Sequence, residues 1–96
     1  MLKEAEALQK SLTQAQSELR KIEVRGFSSG GLVEVIMNAQ GELKDIKIKK
    51  EAVNLNDLET LEDLIILAFR DAGIKALDIS KEKLGNLTKE MNFPPI

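Results

Sequence analysis

The chain has 96 residues and a formal net charge of −2, with 14 Lys and Arg against 16 Asp and Glu. It holds no Cys, His, Trp or Tyr, which excludes disulfides and thiolate metal sites and removes the commonest general base and metal ligand. No enzyme, cofactor or metal site is expected, and the core must come from Leu, Ile, Val and Ala.

Seven apolar residues open the chain: Met1, Ala5, Leu8, Leu12, Ala15, Leu19 and Ile22. Their spacings alternate four and three, a heptad stripe over three heptads. The stripe predicts a helix from near Met1 to about Lys21. Glu4 and Glu6 lie early and Arg20 and Lys21 late, as the helix dipole favours. The stripe is narrower than the face a helix usually turns to a globular core. It suits a second copy, with Ala5, Leu8, Leu12, Ala15 and Leu19 as candidate dimer seam. The alternative is a helix packed only on its own sheet. No apolar run approaches the roughly 20 residues of a membrane span, and the N-terminus lacks a signal-peptide core. A cytoplasmic location and no membrane partner are expected.

Three strands follow. Ile22–Phe27 is the first and shortest, ending at Ser28-Ser29-Gly30-Gly31. This turn lacks the Lys-Ser/Thr continuation of a phosphate-binding loop. In Leu32–Asn38, Val33, Val35 and Met37 share one face and Leu32, Glu34 and Ile36 the other. Asn38-Ala39-Gln40-Gly41 makes a turn with Gly41 available for positive φ. In Glu42–Lys49, Ile46 and Ile48 face the core while Asp45, Lys47 and Lys49 face out. Short turns make the three an antiparallel meander.

A second helix starts near Asp57, with Asn56 as N-cap and Glu59 as the reciprocal acid. Leu58, Leu61, Ile65, Ala68, Phe69 and Ala72 form its expected buried stripe. Leu64, Ile66 and Leu67 widen the stripe toward a partner. Gly73 leaves room for a bend or break, and the pattern resumes through Ile74, Leu77, Leu84 and Leu87. Pro94-Pro95 marks a frayed tail over 91–96. The fold class is α+β in one domain, 1–96: N-terminal helix, three-stranded antiparallel meander, long C-terminal helix.

The charge is uneven. Residues 51–78 sum to −5, whereas 1–50 sum to +2 and 79–96 to +1. Glu59, Glu62 and Asp63 are read as serving the positive end of the second helix rather than a metal. Lys47, Lys49 and Lys50 make the densest basic cluster; the favoured reading is lysines that keep an edge strand from aggregating, and the alternative is contact with DNA phosphates.

Collinear pieces of this sequence resemble the YbaB/EbfC family of bacterial nucleoid-associated proteins. They are Gln14-Ala15-Gln16, Glu18-Leu19, Ile22-Glu23-Val24, Gly26, Gly31-Leu32-Val33, Val35 and Asn38. They continue through Leu61-Glu62-Asp63-Leu64, Ala68-Phe69 and Asp71-Ala72 to Met91 and Pro94-Pro95. The first helix departs from the family in using Leu and Ala where Met is frequent. The tail has Ile96 where Gly is common. The resemblance implies a tweezer-shaped homodimer that binds double-stranded DNA with little sequence preference. It implies a nucleoid location and a role in nucleoid organisation or gene regulation, without catalysis or a small-molecule substrate. Lys3, Lys10, Lys81, Lys83 and Lys89 lie on helical ends that could project from a dimer and are the candidate DNA contacts. With no aromatics among them, phosphate contact is the expected mode. The competing expectation is a dimeric adaptor that docks another protein through the acidic start of the second helix.

Overall fold

The computed structural model describes the backbone of residues 2–90 and the side chains of residues 5–85. The expected frayed tail at 91–96 lies outside the described residues. Helix α1 spans Leu2–Lys21 and strand β1 Glu23–Phe27. Strand β2 spans Val33–Asn38, strand β3 Leu43–Ile48, and helix α2 Leu58–Glu90. The strands form one antiparallel sheet in the order β1-β2-β3, the expected meander.

The two turns hold their shape through side chains that answer backbone groups. Ser28 is buried, and its Oγ accepts from Val33 N at 2.9 Å. Buried Asn38 accepts from the backbone N of Gln40 and of Glu42, each at 3.0 Å. Gly41 takes φ of 89°, where a side chain would strain. This second turn also grips α1. Ala39 N donates to Leu19 O at 3.1 Å and Gln40 Nε2 to Gln16 O at 2.8 Å. Leu19 is among the last four residues of α1, whose carbonyls run out of helical partners, and its carbonyl is thereby satisfied.

Register sets the faces. Val24 pairs with Met37 and Gly26 with Val35. Val35 pairs with Ile46 and Val33 with Ile48. The register shifts between Ile36 and Met37, where Met37 pairs with Leu43 and leaves Lys44 as the extra residue. Helix α2 lies over β1 and β2, with Ala68, Ala72 and Ala76 buried against Val24, Val33, Val35 and Met37. Small residues make this approach close. A Cβ on Gly26 would collide with the backbone of Ala68 and Ala72.

Four expectations are corrected. Helix α2 is continuous through Gly73, because the turns before and after share one packed stripe, Ala68, Ala72 and Ala76. Its N-cap is Asp57 rather than Asn56. The Asp57 carboxylate accepts from Thr60 N at 3.2 Å and from Thr60 Oγ1 at 2.5 Å. Leu58 and Phe69 are exposed, 50% and 45%, because alanines take the sheet-facing positions. Ile46 is half-buried and Ile48 is 42% exposed. Both face the core side as expected, but α2 does not reach across β3 to cover them.

Candidate nucleic-acid interface

The candidate lysines lie on two helices that run side by side. Ile22, just after α1, and Ile79 of α2 both pack against the core. One turn further out, Glu18 of α1 forms an ion pair with Lys83 of α2. The helices are therefore antiparallel here and form a two-helix arm. Within the arm, α1 carries four basic and three acidic residues, and residues 79–90 carry three and two. The arm is thus slightly basic, while the acidity of 51–78 spans the link before α2 and the helix up to Asp78.

The arm holds the candidates in different states. Lys10 is exposed on α1, eight residues outward from Glu18, about 12 Å along the helix axis. Lys81 is exposed on α2, and Lys83 is half-buried. The Lys83 ammonium donates to the Glu18 carboxylate and holds its pKa below the ordinary carboxylate value. A phosphate approaching Lys83 competes with that carboxylate. Lys3 and Lys89 lie in α1 and α2, and their side chains fall outside the described residues. An open groove of about 680 Å³ runs along α1, with Lys10 and Lys21 balanced by Glu6 and Glu18.

Two basic residues of this end were absent from the candidate set. Arg20 and Lys21 form the last turn of α1 and are exposed. Arg20 Nε lies 3.5 Å from Glu42 Oε1 and 3.4 Å from Gln40 Oε1, so much of its charge is answered within the chain. Among the described residues Lys21 makes no such close ion pair, although its charge acts on nearby Glu18. Its position late in a helix suggested only a dipole partner, and nothing in the sequence separates that role from a phosphate contact.

The seam candidates also divide. Ala15 and Leu19 are buried within the chain. Leu8 is half-buried, Leu12 is 37% exposed and Ala5 is exposed. Lys47 on β3 and Lys49 and Lys50 beyond it are exposed, and β3 is an edge strand. Among the described residues, no group of three or more acidic residues could hold a metal ion. None of the described helices is long and apolar enough to cross a membrane.

Comparison with known proteins follows the same outline. The family model described as the YbaB/EbfC DNA-binding family matches residues 1–91. A nucleoid-associated protein of Dictyoglomus thermophilum is 42% identical over 94 residues, covering 98% of this chain and 90% of that protein. One from Methylocella silvestris is 37% identical over 95 residues, covering 99% and 89%. The crystal structure of an uncharacterized protein from Helicobacter pylori superposes with a TM-score of 0.70 at 25% identity, covering 93% of this chain and 89% of that one.

Proposed function

This chain belongs to the YbaB/EbfC DNA-binding family, and from that premise we propose that it acts as a homodimer whose projecting arms hold double-stranded DNA by its phosphates. The matched family is a DNA-binding one and its named relatives are nucleoid-associated, so this is not an enzyme. Its place is on the nucleoid in the cytoplasm, in nucleoid organisation or gene regulation. The adaptor alternative finds no support in these matches.

The observation that carries the phosphate reading is the charge division along the molecule. Acid is concentrated over 51–78, in the link before α2 and the part of the helix nearer the sheet, while the arm is mildly basic and places Lys10 and Lys81 in solvent. Lysine contacts phosphate as a point charge and reads no base. A two-fold axis doubles each such contact.

Exposed apolar side chains support the dimer: on α2, Ile66, Leu67, Phe69, Ile74 and Leu77 all stand about half in solvent. On α1 the seam candidates still open to a partner are Ala5, Leu8 and Leu12.

The test is a salt titration against two unrelated duplexes, followed by fluorescence anisotropy. Each lost phosphate contact flattens the slope of log affinity against log salt by about 0.9. Lys10→Gln with Lys81→Gln should weaken both duplexes by a similar factor and flatten the slope. Glu18→Gln should free Lys83, tighten binding and steepen it. Absence of binding at low salt removes the DNA reading, and salt-independent binding removes the phosphate mechanism.

A further inference from the structure

Strand β3 and the residue after it carry the densest charge in the chain. Residues 44–50 hold four lysines against one acid, Asp45, with Glu51 next, in a protein of net charge −2. Ile46 and Ile48 pair with Val35 and Val33, which lie in the core under α2. Lys47 stands between them and so points to the opposite face. Lys49 continues the ladder in extended conformation, with its N–H donated to Leu32 O at 2.9 Å. It points the same way as Lys47, about 7 Å further on. Lys50 follows directly, and Lys44 sits at the bulge. All four lysines are exposed.

Their charges are unanswered. Among the described residues, none of the four takes part in an ion pair. Two neighbouring acids are committed elsewhere. Asp45 turns back to accept from Ile46 N at 2.8 Å, and Glu34, opposite Lys47, holds Arg25 at 2.9 Å. Defence of a free strand edge accounts for Lys44 and Lys47. It does not account for Lys49 and Lys50, which lie beyond the last residue of β3.

The cluster also lies away from the arm. Along α2, Ala68 and Ala72 lie against Gly26, Lys75 reaches Arg25, and Lys83 reaches Glu18. The arm therefore leaves the sheet at the end where β1 begins. β3 runs the same way as β1, each antiparallel to β2, so Lys49 and Lys50 stand at the other end of the sheet.

We propose that Lys47, Lys49 and Lys50 form a second phosphate-binding surface, which holds a stretch of duplex other than the one in the arms, so that one dimer bridges two duplexes. This adds a site to the function proposed above and takes from it the identity of the polyanion. Lysines in a row along an extended segment meet the repeated charge of a nucleic-acid backbone and read no base. Residues 44–50 include no aromatic, so stacking on a single strand is not what they offer.

The test uses the full chain, one duplex tethered to beads and a second, fluorescent duplex of unrelated sequence. Capture of the second duplex reads bridging, and anisotropy with one short duplex reads the arms. Wild type should capture. Lys49→Gln with Lys50→Gln should lower capture at least about ten-fold at physiological salt, since each lost phosphate contact costs affinity there, while single-duplex affinity stays nearly unchanged. Lys49→Arg with Lys50→Arg should capture as wild type does, because the contact needs charge. Both variants keep Lys44 and Lys47 on the edge, so light scattering and unfolding temperature should not move. Capture that survives the glutamine pair overturns the inference. So does single-duplex affinity that falls in step with capture, which would put cluster and arm on one duplex. Poly-glutamate binding that the glutamine pair abolishes while capture persists gives the cluster to an acidic protein instead. A wild-type chain that binds one duplex and captures no second overturns this inference alone, and one that binds no duplex at low salt overturns the DNA reading with it.

Discussion

The two edges of the sheet are built in opposite ways. At β1 the free edge is closed by side chains of α2. Phe27 N donates to Asp71 Oδ2 at 2.9 Å, and Lys75 Nζ donates to Arg25 O at 3.0 Å. Asp71 and Lys75 also pair with each other at 3.1 Å, and the Lys75 ammonium lies 5.5 Å from the centre of the Phe27 ring. At β3 no helix lies across the strand. Leu43 and Ile48 are 50% and 42% exposed, and Lys44, Lys47 and Lys49 line the strand and its end. Unpaired strand edges invite other strands. One edge answers with capped backbone groups and the other with charge. The difference follows from residue size. Glycine at 26 and alanines at 68, 72 and 76 let helix and strand backbones approach, and the helix goes where that approach is possible.

The largest effect should come from closing that approach. Gly26→Val should cost more than about 3 kcal/mol, since backbone rather than a flexible side chain stands in the way. Chemical denaturation followed by circular dichroism measures it. A loss under about 1 kcal/mol would mean that helix and strand can part cheaply. Next come Met37 and Leu43, partners across β2 and β3. Met37 is 1% exposed, and Met37→Ala should cost about 2–5 kcal/mol. Leu43→Ala should cost under about 1 kcal/mol, because half of its side chain is already in water. Equal losses would erase the distinction between the covered and open strands.

A pH titration sharpens the comparison further. The Phe27 N–H bond, with help from Lys75, holds the Asp71 pKa below its ordinary value of 3.8. A depressed carboxylate stabilises the fold above its unfolded pKa. That contribution fades as pH falls below about 4 and is gone once pH has passed the folded value. Asp71→Asn should remove this part of the acid sensitivity, read as a smaller change in denaturation midpoint between pH 6 and pH 3. An unchanged pH profile would show that the β1 edge does not depend on the charge. The smallest effect belongs to the open edge. Lys47→Ala should move stability by no more than about 0.5 kcal/mol, while raising the tendency to aggregate, measured by light scattering.

The elements and their order are legible in the residues alone. Alternation in Val33, Val35 and Met37 and in Ile46 and Ile48 fixed the strand faces, because side chains alternate wherever a strand forms. Asn38 and Gly41 fixed a turn, because their chemistry acts within four residues. The heptad stripe of α1 fixed a helix. None of these signals says what lies on top of a face, which depends on how distant elements pack. Ala15 and Leu19 are covered by their own chain while Leu12 stays partly open. Ile48 faces the right way and remains exposed. Lys83 looked like a free cation and is held by Glu18, 65 positions away. The meaning of Gly26 and of Gly73 also emerged only in three dimensions: the same residue type meets a helix backbone at one position and open space at the other. Periodicity is a local property of the backbone. Coverage depends on which distant element can approach, and that is set by the few positions where two backbones can touch.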